Sequence, residues 1–140
     1  MKKQFATYKI SSDIRELGFD EECIAWYNSS SEDSLSMCDV FGLLVDKCSE
    51  DFIKNSDGEY VTAPLWQQVI DWFRENKKIH ISLPNHYDGN SIDVRNFNND
   101  TSYYSLNEDR WYENYYEARE QAILKAIEII KKKKSDETNN

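Results

Sequence analysis

The sequence predicts an α+β fold: a mostly antiparallel sheet of four to five strands with about three helices packed on it. Three observations predict it. Residues 64–76 set Leu65, Trp66, Val69, Ile70, Trp72 and Phe73 on one broad apolar face at helical spacing. After only Asn76-Lys77-Lys78, the residues Ile79, Ile81 and Leu83 alternate with His80 and Ser82, the period-two pattern of a strand with one buried face. Further strand-like runs follow, punctuated by Asp88-Gly89 and Asn98-Asn99-Asp100. A helix and a strand joined so closely share one small core. A chain of 140 residues has the size of one domain. The sequence therefore predicts a single domain over 1–134 and a disordered tail over 135–140.

The elements are justified in order. Thr7 is a good cap for a first helix over 7–17, in which Ile10, Ile14 and Leu17 share a face. Gly18 supplies a left-handed stop, and Phe19 folds back onto Ile14. Residues 22–28 are short, aromatic and followed by the polar run 28–34, which reads as a strand and a loop. Val40 to Val45 fits a strand better than a helix, because Gly42 weakens a helix by nearly ~1 kcal/mol relative to Ala. Asn55-Ser56-Asp57-Gly58 is a turn. The central helix over 64–76 takes Thr62 or Ala63 as its cap and places Pro64 in its first turn, where the missing amide hydrogen costs nothing.

Strands over 79–83, 91–97 and 101–105 then form an antiparallel meander, with Ile92 and Val94 on one side and residues 84–90 as a loop. Asn114 and Glu117 have capping-box spacing for a last helix over 115–131. Its apolar face, from Tyr115 and Tyr116 to Ile130, covers more than half the circumference, with Ala118, Ala122 and Ala126 small enough for close approach to strands. The run Lys131-Lys132-Lys133-Lys134 would then complement the negative end of that helix.

Charge is unevenly distributed. Hydrophobic residues make up 39% of the chain and aromatics 14%, enough to fold despite 31% charged residues, and the net charge is -9. Between Ile10 and Phe73, fourteen acidic residues face only Arg15, Lys47 and Lys54. That balance argues against nucleic acid as a partner of the first half and would steer a basic protein toward it. Its plainer role is to keep the surface solvated. The positive charge gathers at Lys2-Lys3, Lys77-Lys78 and the lysine run. No stretch approaches the ~18 apolar residues of a membrane span, and no apolar signal region follows Met1-Lys2-Lys3, so no membrane association and a cytoplasmic location are expected.

No catalytic, cofactor-binding or metal constellation emerges. Cys23, Cys38 and Cys48 lack any C-x-x-C pair and read as reduced, buried thiols. His80 and His86 stand outside any metal-ligand spacing. Asp20-Glu21-Glu22 lacks the pattern of a calcium loop and reads as a helix-to-strand turn. The four glycines form no phosphate-cradling motif. Amphipathic aromatics remain: Tyr103, Tyr104, Trp111, Tyr112, Tyr115 and Tyr116 could complete the core under the last helix or mark a protein interface.

Four segments carry a resemblance. Thr7-Tyr8, the run from Glu16 to Cys23, the run Thr62-Ala63-Pro64-Leu65-Trp66-Gln67-Gln68-Val69-Ile70-Asp71-Trp72-Phe73-Arg74-Glu75, and the run from Tyr116 to Ile130 together resemble a group of short proteins. These are encoded by bacteriophages and by gut Bacteroidetes and their mobile elements. About half the chain is covered. The family pattern follows the Trp-Phe-Arg-Glu helix with a Gly or His-Gly type turn, where this chain has Asn76-Lys77-Lys78, and residues 28–60 do not align. The resemblance implies a phage or prophage setting in a bacterial cytoplasm and carries no activity, cofactor or site residue.

These readings converge on a non-enzymatic accessory protein that acts by protein–protein interaction through an acidic surface, with DNA mimicry as its sharper form. Trp66, Gln67, Gln68, Trp72, Trp111 and Tyr112, with Asp20, Glu21 and Glu22, are the candidate contact residues. Two alternatives stay open: a weak single-stranded nucleic-acid binder using Lys77, Lys78 and the lysine run beside the tyrosines, and a cryptic enzyme in which His80 or a cysteine meets a carboxylate.

Overall fold

Thr7 caps α1 (Tyr8–Glu16) as its residue type predicts, its side chain accepting the Ile10 amide hydrogen. The helix stops at Gly18, whose φ of 96° is the left-handed conformation that glycine adopts without strain. The Phe19 amide donates to the Ile14 carbonyl at 2.9 Å and the Gly18 amide to the Arg15 carbonyl at 3.0 Å, the two bonds of a Schellman stop. Ile14 and Phe19 are both buried. The structure, a computed structural model, describes residues 2–37, 53–97, 101–105 and 111–139. The strand expected over 40–45 lies outside them, as do Cys38 and Cys48.

The α+β class is plain, with every strand pairing antiparallel. The strands form three small sheets rather than one of four to five. The chain divides into two compact units, Met1–Val69 and Ile70–Asn140. Each described strand finds its partners within its own unit.

In the first unit, β1 (Ala25–Tyr27) is flanked by β2 (Leu35–Met37) and β3 (Val61–Thr62), with Trp26 opposite both Ser36 and Thr62. The strand is shorter than the expected 22–28, and Cys23 continues it only as an isolated bridge to Ile53. Phe5, Ala25, Tyr27, Val61 and Ala63 form a core cluster beneath α1, with Tyr8, Ile24 and Leu35 packed against it. Asn55–Asp57 is the expected turn, in 3-10 form.

The central helix, α2 (Trp66–Lys77), begins two residues later than the sequence predicts. Pro64 lies ahead of it, and its carbonyl accepts the Ala6 amide at 2.8 Å. Leu65 bridges Phe5 and is 40% exposed, so it does not join the buried face. The boundary between the units falls inside this helix.

In the second unit, β4 (Ile79–Ser82) pairs with β7 (Asp93–Asn96), and β7 pairs with β8 (Thr101–Ser105), which is the expected meander. The expected loop between β4 and β7 holds a further hairpin, β5 (Asn85–His86) with β6 (Gly89–Asn90). Gly89 makes it: its φ is 137°, and a Cβ there would sit 2.9 Å from the Tyr112 carbonyl oxygen. The last helix, α3 (Tyr115–Thr138), lies across β4 and β7 and buries Ala118, Ala122, Ile123, Ala126, Ile127 and Ile130. Asn114 supplies its cap, accepting the Tyr116 amide at 2.9 Å. The helix extends through Thr138, most of the way along the stretch expected to be a disordered tail. Glu128 with Lys132 at 2.9 Å and Thr138 with the Lys134 carbonyl at 2.7 Å support the added turns. The four lysines are therefore no longer in the last turn, and the dipole argument for them lapses.

Candidate functional site

Asp20, Glu21 and Glu22 occupy the link between α1 and the Cys23 bridge, where α1 has ended at Gly18 and no strand has begun. Each carboxylate makes a bond within the first unit. Asp20 accepts the Ser56 amide at 2.8 Å, and that bond, with the Ser56 hydroxyl, holds its carboxyl below the ordinary range. Glu21 Oε2 accepts the Gln68 side-chain amide at 3.4 Å, and Glu22 lies 3.9 Å from Lys54. Asp20 and Glu22 are exposed, so the bank still presents its charge to solvent.

Gln68 is the tie between this bank and α2. Its Nε2 donates to the Glu22 carbonyl at 2.8 Å, and its Oε1 accepts the Cys23 thiol at 3.8 Å. Gln67 is exposed on the same helix. The neighbouring Trp66 is buried, and its indole N–H donates to the Lys3 carbonyl at 3.0 Å. Gln68, Glu21 and Glu22 are thus joined by hydrogen bonds, while Trp66 is part of the buried core.

The remaining candidates lie in the second unit. Trp72 is buried, edge-on to Phe73 at 5.1 Å, with the Lys77 ammonium 5.2 Å from its ring centroid. Tyr112 is buried as well, exchanging backbone bonds of 2.8 and 2.9 Å with Asn90. Trp111 remains exposed. The two tyrosines placed by periodicity on the apolar face of α3 point outward instead: Tyr115 is 46% and Tyr116 52% exposed. Arg119 beside them is buried, its guanidinium 5.7 and 5.2 Å from the two ring centroids, so the rings cover a buried cation. The i,i+3 and i,i+4 spacing of Arg119 from these tyrosines was the available signal.

Sequence reasoning also missed two polar anchors and one unusual backbone conformation. Glu32 reaches from the loop before β2 to the first amide of α1, at Tyr8, and to the Tyr27 hydroxyl at 3.1 Å. Asn55 is buried, donating to the Phe19 carbonyl at 2.7 Å and accepting the Thr62 amide at 3.0 Å. Lys78 is not glycine yet adopts a φ of 56°. Asn55 sits in a predicted turn, but nothing in its local sequence announces burial.

The chemistry open to these groups is limited by their surroundings. Burial pushes the Cys23 thiol up to about 12, against weaker opposing bonds from Thr62 and Gln68, so at neutral pH it is a protonated thiol and a poor nucleophile. Burial likewise raises Tyr27, with the Glu32 charge adding to the effect. The His80 ring rests 5.6 Å from that of Phe97. Among the described residues no group of three or more His, Cys, Asp or Glu is placed to hold a metal, and no helix is long and apolar enough to cross a membrane. Comparison with known proteins gives no match to any family, curated protein or solved structure.

Proposed function

We propose that this chain is a binding protein whose acidic first unit engages a basic protein partner, in the phage or prophage setting that its resemblance implies. The observation that carries the reading is the partition of charge. Residues 1–69 hold thirteen acidic and six basic side chains, a net -7, whereas residues 70–140 hold thirteen and eleven, a net -2. A field of one sign over one unit raises the encounter rate with an oppositely charged partner and falls off with salt. Exposed Asp20 and Glu22 support it, as do exposed Glu16 and Glu59 in the same unit. In its sharper form the acidic unit imitates DNA, and its partner is a DNA-binding protein.

Competition tests this. A cationic DNA-binding protein is loaded on a labelled duplex and titrated with the chain at low and high salt. The expected result is displacement that weakens as salt rises and is lost when Glu16, Asp20, Glu22 and Glu59 are neutralised together as Gln, Asn, Gln and Gln. If the neutralised variant displaces the duplex as well as the original chain, the reading fails.

A further inference from the structure

The outer face of the first unit's sheet carries an aromatic pair in acidic surroundings. Ala25 and Tyr27 belong to the core cluster, so Trp26 between them stands on the opposite face of β1, across from Ser36 on β2 and Thr62 on β3. Tyr60, two residues before Thr62, reaches the same face, its ring centroid 6.3 Å from that of Trp26 and the planes at 51°. Tyr60 is 38% exposed and Trp26 half-buried, so both rings offer area to solvent.

Both rings are held in place. The Trp26 indole N–H donates to Asn28 Oδ1 at 3.0 Å, and the Asn28 side-chain amide donates in turn to the Ser34 carbonyl at 3.0 Å and to the Ser36 hydroxyl. Tyr60 lies against the turn before it: a Cβ at Gly58 would meet its ring carbons at 2.7 and 2.8 Å, so glycine there makes room for the ring. Rings fixed in advance lose little freedom when something binds them. The charge around the pair is of one sign. The segments that carry it, residues 22–37 and 55–62, hold Glu22, Glu32, Asp33, Asp57 and Glu59 and no Lys or Arg. The adjacent Lys54 is itself 3.9 Å from the Glu22 carboxylate. Glu59, next to Tyr60, is exposed, and among the described residues no ion pair engages it. A face of this kind has nothing to hold a phosphate, whereas ring faces and carboxylates both attract a cation.

We propose that Trp26 and Tyr60 seat an arginine side chain of the basic partner, its guanidinium stacked on the rings and its charge met by Glu59. The proposal rests on the reading of the first unit as the surface that engages a basic protein, and it names the contact. Arginine suits the seat better than lysine, because a planar guanidinium lies flat on a ring and is more weakly hydrated than an ammonium.

Two labelled peptides of equal length and charge, one alternating Arg with Ser and the other Lys with Ser, test this by fluorescence anisotropy with the full chain at low salt. The arginine peptide is expected to bind about two- to fivefold tighter. Trp26→Leu and Tyr60→Leu, which keep apolar bulk and remove a ring, should each bring the two peptides closer to level, whereas Tyr60→Phe should keep the preference. Far-UV circular dichroism confirms the fold of each variant. In the original chain the Trp26 indole N–H resonance should move further with the arginine peptide than with the lysine peptide, which reads the contact without any substitution. Equal binding of the two peptides, a preference undiminished in both leucine variants, or an indole resonance that neither peptide moves overturns the proposal. Neutralising Glu16, Asp20 and Glu22 together tests the acidic field apart from the rings. If the peptides bind equally and neutralisation weakens both, the acidic surface stands and the aromatic seat falls. If neutralisation changes nothing while the leucine variants abolish the arginine preference, the seat stands and the acidic surface falls.

Discussion

The two units are held together by different means. In the second, one long helix lays Ala118, Ala122, Ile123, Ala126 and Ile127 across a meander, so cohesion comes from apolar area and close backbone approach. The first has strands of only three, three and two residues, and polar side chains reach between segments to fasten it. Asn55 links Phe19 to Thr62, Glu32 links α1 to Tyr27, and Gln68 links α2 to Glu22 and Cys23. Short strands bury too little to hold themselves, and each polar tie then carries a large share of the stability. The teaching is that an unmade bond should hurt the first unit about as much as a cavity hurts the second.

The largest effects test that equivalence directly. Ile123 is fully buried, and Ile123→Ala is expected to cost about 3–5 kcal/mol through reduced burial and the cavity left behind. Asn55→Ala leaves the Phe19 carbonyl and the Thr62 amide without partners and is expected to cost about 2–4 kcal/mol. Urea unfolding of both variants reads the difference. A cost for Asn55→Ala below about 1 kcal/mol would show that the ties are dispensable and break the comparison.

Two glycines give the next contrast. Gly18 and Gly89 both have positive φ, but a Cβ at Gly18 meets open space while one at Gly89 meets the Tyr112 carbonyl oxygen at 2.9 Å. Gly89→Ala should cost about 2–3 kcal/mol, strain plus a backbone collision, and Gly18→Ala about 1 kcal/mol from strain alone. Thermal melts of the two variants should therefore separate clearly. Equal losses would mean that the β5–β6 hairpin gives way and relieves the clash.

Alkaline pH should weaken the first unit selectively. Cys23 is raised by burial from 9.0 to about 12. A thiol whose folded value lies above its unfolded value contributes stability that is complete below the unfolded value and is lost as pH climbs toward the folded one. Stability should thus decline between about 9 and about 12, with Tyr27 adding to the loss because burial raises it as well. The variant Cys23→Ala should flatten the lower part of that decline in urea midpoints followed from neutral pH upward. Among the described residues of the second unit, burial shifts Lys77 and Arg119 downward and the Lys132 and Lys125 bonds shift Glu128 downward, so none of the three supplies such an alkaline loss.

Much of the second unit was legible because its signals are periodic. The alternation of Ile79, His80, Ile81 and Ser82, the Asn114 cap and the three alanines of the last helix are local patterns with one reading. Local signals also gave Thr7, Gly18 and Phe19 their places. The first unit resisted because its ties are long-range. Nothing adjacent to Asn55 reveals Phe19 thirty-six residues away, and nothing near Glu32 reveals the amide of Tyr8. Trp66 and Trp72, named as candidate contacts, are both buried, as their place on the apolar face of the helix allows. Tyr115 and Tyr116 differ the other way: both are exposed although periodicity sets them on the apolar face, and their rings lie over the buried Arg119 guanidinium.

The smallest effect is the most discriminating within one helix. Gln67 and Gln68 are adjacent, identical in type and equally conspicuous in sequence, yet the structure separates them by about a quarter turn and gives them different surroundings. Gln68 donates to the Glu22 carbonyl and accepts the buried Cys23 thiol, so Gln68→Ala removes a tie and should cost about 1–2 kcal/mol. Gln67 is exposed, and Gln67→Ala should cost less than Gln68→Ala. The same pair bears on binding. If neutralising the acidic bank abolishes displacement of duplex DNA from a basic protein while Gln67→Ala leaves it intact, Gln67 has no part in that contact. If Gln67→Ala weakens displacement without lowering stability, the partner reaches past the Asp20 to Glu22 bank onto α2, and Gln67 is the residue that meets it.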